Sequence, residues 1–334
     1  MMTFSLADIH RFLRRFSQKL QRKSAIFNLH QSARNKPNNN KYYMKKLKHI
    51  YLLLFLLSIF NLNGMTQTTN QQKTGILLVS FGTSYSDAQQ ALDNIEEEVR
   101  KTFPGTEVRW AFTSNIIRKK LKKQGQAIDS PAEALAHYTA DGYTCIAVQS
   151  LHVIPGEEYE NLQKTVVAFN QMPKNAEAVL IGKPLLYQHA GINSVVDVIS
   201  KILPQDLKKG EAVLMMGHGT HHPSNIYYPG VQYYLSQKNP SYFLATVEGY
   251  PGLTEVLPQL KEQKIKTIWL MPFMSVAGDH VQNDMAGDEP ESWKSQLEAR
   301  GYEVNVMMKG LAEYDEIVAI WINHLKEIMH ELEK

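Results

Sequence analysis

Residues 213–220 read Val-Leu-Met-Met-Gly-His-Gly-Thr, and residues 76–83 read Ile-Leu-Leu-Val-Ser-Phe-Gly-Thr. Each is a short apolar run closing in a Gly-Thr turn, the pattern of a buried parallel strand that delivers the chain to the loop before a helix. The correspondence recurs further along each half. Ile146–Glu157 (IAVQSLHVIPGE) matches Ile268–Asp279 (IWLMPFMSVAGD), again an apolar strand followed by a turn with glycine. The chain is therefore expected to contain a duplication. The second copy has His218 where the first has Phe81, and His280 where the first has an acidic turn near Glu158.

Outward from these segments, apolar runs alternate with amphipathic ones. Strands are predicted at 75–81, 107–111, 144–150 and 178–182, then at 212–217, 243–247, 266–272 and 303–308. Helical patterns lie at Ser86–Thr102, Pro131–Asp141, Glu157–Gln171, Gly252–Gln263, Glu291–Arg300 and Tyr314–Glu333. Ser130-Pro131 supplies an N-cap followed by proline in the first turn. Regular alternation of this kind predicts an α/β fold of two similar halves, 74–200 and 201–334, each a parallel sheet flanked by helices. Ligands of such sheets bind beyond the carboxyl ends of the strands, so a cleft between the halves is the expected site.

The 334 residues suffice for one large or two ordinary domains. The formal net charge of +3 is unevenly spread. Residues 1–64 hold 12 of the 36 Lys and Arg but one of the 33 Asp and Glu, so the remainder has 24 basic against 32 acidic residues, a balance of about −8. A nucleic-acid partner, which would need a basic face, is not expected. The basic segment instead resembles a leader: Met44-Lys45-Lys46-Leu47-Lys48 precedes the apolar run Ile50–Phe60, and Asn61-Leu62-Asn63-Gly64 is polar again. A bilayer core of ~30 Å needs about 20 apolar residues, so the run suits a signal peptide at 44–64 better than a span. That reading makes 1–43 a non-native or disordered extension, 65–73 a linker, and the mature protein exported, periplasmic in a Gram-negative cell. The alternative is an uncleaved membrane anchor. The single cysteine, Cys145, lies in an apolar run and is expected to be a buried thiol.

His218 stands between Gly217 and Gly219, which would let the backbone turn sharply and leave the imidazole uncovered at a strand end. The plainer alternative is a histidine that only caps the turn. His280 follows Ala277-Gly278-Asp279, and Asp279, Asn283 and Asp284 are each near enough to orient its ring; alternatively Asp279 caps a helix and His280 is a bystander. Glu248 follows the strand at 243–247, as a cleft carboxylate or as an N-cap for the helix after Pro251. Two imidazoles and a carboxylate suit a divalent first-row metal with open positions. His221 and His222 are ligands or solvent-facing loop residues. On the first half, Ser80, Gly82, Thr83 and Ser84 could bond an acidic ligand, His152 could line the cleft, and Glu158 is the acid of its helix turn best placed to face it. The Met-rich stretch 271–285 and Tyr227, Tyr228, Tyr233 and Tyr234 suit either a flat apolar ligand or ordinary packing. A Walker loop, a Gly-x-Gly-x-x-Gly turn and a Gly-x-Ser-x-Gly elbow are absent from the sequence.

Several separated motifs then coincide: Leu78-Val79-Ser80-Phe81-Gly82-Thr83-Ser84-Tyr85, Ala111-Phe112-Thr113-Ser114, Gln149-Ser150-Leu151-His152, Gly217-His218-Gly219, Val247-Glu248-Gly249-Tyr250-Pro251, and Ala277-Gly278-Asp279-His280 with Asn283-Asp284-Met285. At these residues the chain resembles the anaerobic cobalt chelatases, the sirohydrochlorin cobaltochelatases of the class II chelatase group, from about Thr74 to the closing helix. The resemblance implies paired α/β halves around a tetrapyrrole cleft. It makes His218, Glu248 and His280 the metal ligands and His218 and His280 the catalytic pair, with Ser80, Phe81, Gly82, Thr83, His152 and Glu158 on the organic substrate. It implies Co²⁺ as a substrate, with Fe²⁺ or Ni²⁺ as alternatives, no organic cofactor, and a homo-oligomer as one option. The leader departs from the many cytoplasmic members. The competing reading is an exported haem- or tetrapyrrole-binding protein, or a metal carrier, without turnover.

Overall fold

Among the described residues, eight strands form two parallel sheets of four. The first contains β1 (Thr74–Ser80), β2 (Glu107–Phe112), β3 (Cys145–Ser150) and β4 (Ala178–Gly182) in the order β2-β1-β3-β4. The second contains β5 (Glu211–Gly217), β6 (Tyr242–Thr246), β7 (Thr267–Phe273) and β8 (Glu303–Val306) in the order β6-β5-β7-β8. The two orders are the same, so the sequence duplication is a duplication of topology. The central strands are buried on both faces, which is why they read as unbroken apolar runs. This computed structural model describes residues 72–173 and 176–334, with Gln18 alone before them. The signal peptide expected at 44–64 lies outside the described residues, as do 1–43 and 65–73 apart from Gln18, Gln72 and Lys73. No helix among the described residues is long and apolar enough to cross a membrane.

The helices are α1 (Ser86–Thr102), α2 (Asn115–Lys123), α3 (Pro131–Ala140), α4 (Glu157–Gln171), α5 (His189–Ile202), α6 (Tyr227–Lys238), α7 (Leu253–Glu262), α8 (Trp293–Glu298) and α9 (Asp315–Leu332). At the start of α3, Ser130 Oγ accepts from the Glu133 N–H, and the Glu133 carboxylate accepts from the Ser130 N–H at 2.7 Å. The helical pattern at Glu291–Arg300 is ordered as helix only from Trp293, because Ser292 caps it there through the Ser295 N–H.

Alternate residues of each strand feed different cores. Leu77, Val79, Ile146 and Val148 face one side of the first sheet with Leu135, Tyr138 and Leu162, while Leu214, Met216, Ile268 and Leu270 face the corresponding side of the second with Val256, Leu260 and Leu297. The other faces share a single large core. Ile76, Leu78 and Ala147 of the first sheet and Val213, Met215 and Leu244 of the second belong to it, with α1, α5, α6 and α9 supplying the cover. Cys145 is part of that core, buried as expected. The closing helix α9 does not stay with the half that precedes it. It packs on β3, β4, α1 and α5 of the first half, with Trp321 fully buried. Residues 71–334 thus form one compact unit.

Candidate metal centre

The duplicated strand ends lie at the switch point of each sheet, where the central pair, β1 with β3 or β5 with β7, sends its connections in opposite directions. At the second of these, β5 ends at Gly217, and His218 follows. A side chain at Gly217 would strike the buried Tyr228 ring, its ideal Cβ lying 2.5 Å from the ring edge. At Gly219, φ is +82° and a Cβ would lie 2.4 Å from the Gly249 amide. The flanking glycines therefore allow the β5 and β6 turns to touch, which sequence alone suggested only as freedom to bend. Backbone bonds complete the contact: Val247 N–H reaches Gly217 O at 3.0 Å, and Glu248 N–H reaches His218 O at 2.8 Å. Asn225 fastens the outside, accepting from Thr220 N–H at 3.1 Å and donating to Tyr250 O at 2.5 Å.

This construction brings together His218, Glu248 and His280, each offering one ligand atom, all within 4.8 Å of one another. The His218 and His280 rings stand nearly perpendicular with centroids 4.6 Å apart. Glu248 lies between them, 3.7 Å from His218 Nδ1 and 3.9 Å from His280 Nε2. Ligand atoms about 2.1 Å from one ion sit roughly 3–4 Å apart, so a movement of about an ångström or less would close the set on a divalent cation.

The tautomers follow from the partners. His280 Nδ1 is 2.7 Å from the Asp284 carboxylate, which accepts only, so Nδ1 carries a proton and Nε2 is the nitrogen that faces Glu248. His218 Nδ1, the ring nitrogen 3.7 Å from Glu248, is also 2.8 Å from the Gly219 carbonyl, an obligate acceptor that holds the ring in place. His218 thus does bond its own turn, as the plainer alternative had it, while standing in the cluster. Glu248 is not a helix cap, since Gly252 begins α7 and Glu255 closes the capping box. Asp279 makes no cap either. Its carboxylate accepts from the Tyr85 hydroxyl of the first half at 2.6 Å, and Asn283 donates to the same hydroxyl at 3.4 Å. The Asp279 bond holds the Tyr85 phenol above its ordinary pKa.

The other expected site residues are placed unequally. Phe81 is 44% exposed, with its ring centroid 6.4 Å from that of His218, an apolar surface beside the candidate ligands. Ser80 is buried with its hydroxyl unpartnered, and Thr83 is buried with Oγ1 accepting from the Tyr85 N–H at 3.1 Å. Gly82 has φ +99° and a Cβ there would collide with Phe112. His152 hydrogen-bonds Ser150 Oγ through Nδ1 at 2.9 Å, and its Nε2 is sealed from solvent without a partner. Burial pushes that imidazole down to about 4. Glu158 is half-buried in the first turn of α4, with no ion pair among the described residues. His222 neither joins the cluster nor faces solvent: its Nε2 is 3.1 Å from Glu160 and its Nδ1 2.9 Å from Ser224 Oγ. His221 is exposed outside the cluster.

The comparisons with known proteins bear on this geometry. A family model described as "Cobalt chelatase (CbiK)" matches residues 74–330. The sirohydrochlorin cobaltochelatase CbiKC of Nitratidesulfovibrio vulgaris Hildenborough is 40% identical over 261 residues, covering 78% of this chain and 92% of that protein. The sirohydrochlorin cobaltochelatase of Salmonella typhimurium LT2 is 33% identical over 260 residues, covering 77% of this chain and 97% of the relative. Among solved structures, the sirohydrochlorin chelatase SirB from Bacillus subtilis subspecies spizizenii, in complex with cobalt, aligns with a TM-score of 0.50 at 15% identity, over 76% of this chain and 94% of that one. At that identity the likeness concerns the fold.

Proposed function

This chain belongs to the cobalt chelatase (CbiK) family, and from that membership we infer that it is a sirohydrochlorin cobaltochelatase, inserting Co²⁺ into the tetrapyrrole as a nitrogen–metal lyase. The observation that carries the inference at the level of residues is the convergence of His218, Glu248 and His280 at the carboxyl ends of the second sheet, beside the exposed ring of Phe81.

Insertion requires three things: loss of water from the ion, deformation of the macrocycle, and removal of two pyrrole N–H protons. Two imidazoles and one carboxylate replace part of the hydration shell of Co²⁺ without trapping it, because neutral nitrogen ligands exchange readily. Asp284 orients the His280 ring with Nε2 toward Glu248, and the Gly219 carbonyl holds the His218 ring beside them. As the ion passes to the pyrrole nitrogens, the imidazoles and Glu248 are left as bases to take up the released protons. Phe81 offers a flat apolar surface to one face of the macrocycle. The same ligand types accept Fe²⁺ and Ni²⁺, so the proposal extends to those ions where they are supplied. It extends also to the compartment: the basic segment Met44–Lys48 and the short apolar run Ile50–Phe60 support an exported enzyme cleaved near Gly64, which N-terminal sequencing of the exported protein would test.

The assay is the absorbance change of sirohydrochlorin on adding Co²⁺ in the presence of the full chain, with Fe²⁺ and Ni²⁺ in parallel. His218→Ala and His280→Ala are each expected to abolish the enzymatic rate with the fold retained. Near-normal turnover of purified His280→Ala with added Co²⁺, with metal-depleted buffer as the control, would sink the assignment.

A further inference from the structure

Helix α2 is chemically unlike the rest of the molecule. Its nine residues, Asn-Ile-Ile-Arg-Lys-Lys-Leu-Lys-Lys, include five cations and no acid, whereas residues 65–334 as a whole carry about eight more acids than bases. Arg118 is committed to Glu133 at 3.3 Å. Lys119, Lys120, Lys122 and Lys123 are exposed, and none has a carboxylate partner among the described residues. A net-acidic surface repels a polyanion, so an uncompensated cationic helix becomes the place where field lines for such a ligand converge.

The helix is also held against the cleft. Thr113 N–H bonds Ser80 O at 2.9 Å, and Ser114, the N-cap, bonds Phe81 O at 3.2 Å. Lys120 Nζ lies 5.2 Å from the centre of the Tyr85 ring. The helix therefore borders the whole 80–85 loop, from Phe81 beside His218 to Tyr85 on Asp279. Ile116, Lys119, Lys120 and Lys123 follow one another at i, i+3, i+4 and i+7 and share a face. Ile116 is 81% exposed, an apolar residue set among lysines.

Sirohydrochlorin presents the complementary chemistry, an apolar ring with an acetate and a propionate arm on every pyrrole. We propose that the face of α2 formed by Ile116, Lys119, Lys120 and Lys123 receives carboxylate arms of the tetrapyrrole, and that it selects a polycarboxylate macrocycle over one bearing few acids. The proposal rests on the functional reading above and adds the residues of discrimination to it. These lysines serve in binding and take no part in metal transfer.

The test is metal-free binding of sirohydrochlorin to the full chain, followed by fluorescence quenching at low and high salt. The combined Lys119→Gln, Lys120→Gln, Lys123→Gln variant should bind on the order of ten-fold more weakly, since exposed ion pairs are individually modest and three are removed. Its salt dependence should be shallower. Affinity for a dicarboxylate porphyrin and for Co²⁺ alone should be unchanged, and Lys→Arg at the same three positions should restore sirohydrochlorin binding. Wild-type affinity and salt dependence in the Gln variant would overturn this inference and leave the chelatase reading standing. Failure of the wild-type protein to bind sirohydrochlorin would overturn that reading and the inference with it.

Discussion

The hydroxyl of Tyr85 donates a 2.6 Å hydrogen bond to Asp279, the residue immediately before the candidate ligand His280. The two residues are 194 positions apart and belong to different halves of the duplication. The loop that bears a candidate metal ligand of the second half is thereby tied to the first.

Tyr85→Phe removes the hydroxyl and keeps the ring. A hydrogen bond of this kind contributes about 0.5–1.5 kcal/mol, so Co²⁺ affinity or kcat should fall by roughly three- to ten-fold with little change in thermal stability. Asp279→Asn retains an acceptor oxygen and should remain close to wild type. Wild-type metal binding and turnover in Tyr85→Phe would show that the tether has no part in placing His280.

Asp284→Asn replaces a charged acceptor at His280 Nδ1 with a neutral amide that can turn its donor toward the ring. Loss of such an orienting partner typically costs about 10–100-fold in metal affinity or activity. Calorimetric titration with Co²⁺ reads the change, and an unaltered affinity would refute the proposed role.

Gly219→Ala should disrupt the site from beneath. The residue is at φ +82° with its ideal Cβ 2.4 Å from the Gly249 amide, so the β5 and β6 turns would be forced apart. The expected loss of stability exceeds ~1 kcal/mol, because backbone strain adds to the clash. Urea unfolding should show a lower midpoint with the slope preserved, together with weakened Co²⁺ binding. An unchanged midpoint would mean that the turns are not in register as described.

His152 makes stability depend on pH. Its folded pKa is depressed to about 4 by burial, below the ordinary 6.5 of the unfolded chain. In the window between these values the unfolded chain binds a proton that the folded protein refuses. Stability is therefore lost as pH falls from about 6.5 toward about 4. Between pH 7 and pH 5 the loss from this residue is about 2 kcal/mol. Denaturant unfolding of His152→Asn should show a correspondingly smaller drop over the same interval, and an equal drop would place the acid sensitivity elsewhere.

The strands were the most legible part of the fold because both faces of each sheet are covered, leaving uninterrupted apolar runs between polar connections. Helix α2 was not legible in the same way. Among its residues only Leu121 is buried, so no apolar stripe marks it. Helix α6 buries Tyr228, Val231 and Leu235, but the other tyrosines around them blur that spacing. At the candidate metal centre, the approach of His218, Glu248 and His280 has no signature in local periodicity; the repeat marked the turns of His218 and His280, and Glu248 stood out only by following a strand. Asp284 stood four residues after His280, within helical reach, yet Asp279 and Asn283 were equally near in sequence. Only their partners in space separate them, since Tyr85 takes Asp279 and leaves His280 to Asp284. Which first-half residue would meet which second-half loop depends on how the two sheets are set together, and no short segment encodes that.

The return of α9 to the first sheet sets the order in which the molecule can be completed during synthesis. Domains ordinarily fold in sequence as they leave the ribosome. Here the first sheet, although translated first, lacks the cover of Trp321, Leu325 and their neighbours until the final helix has emerged. The second half can close its own outer core earlier, from strands and helices that are contiguous in the chain. The half that was made first is finished last, once α9 has cleared the ribosome and can dock on it.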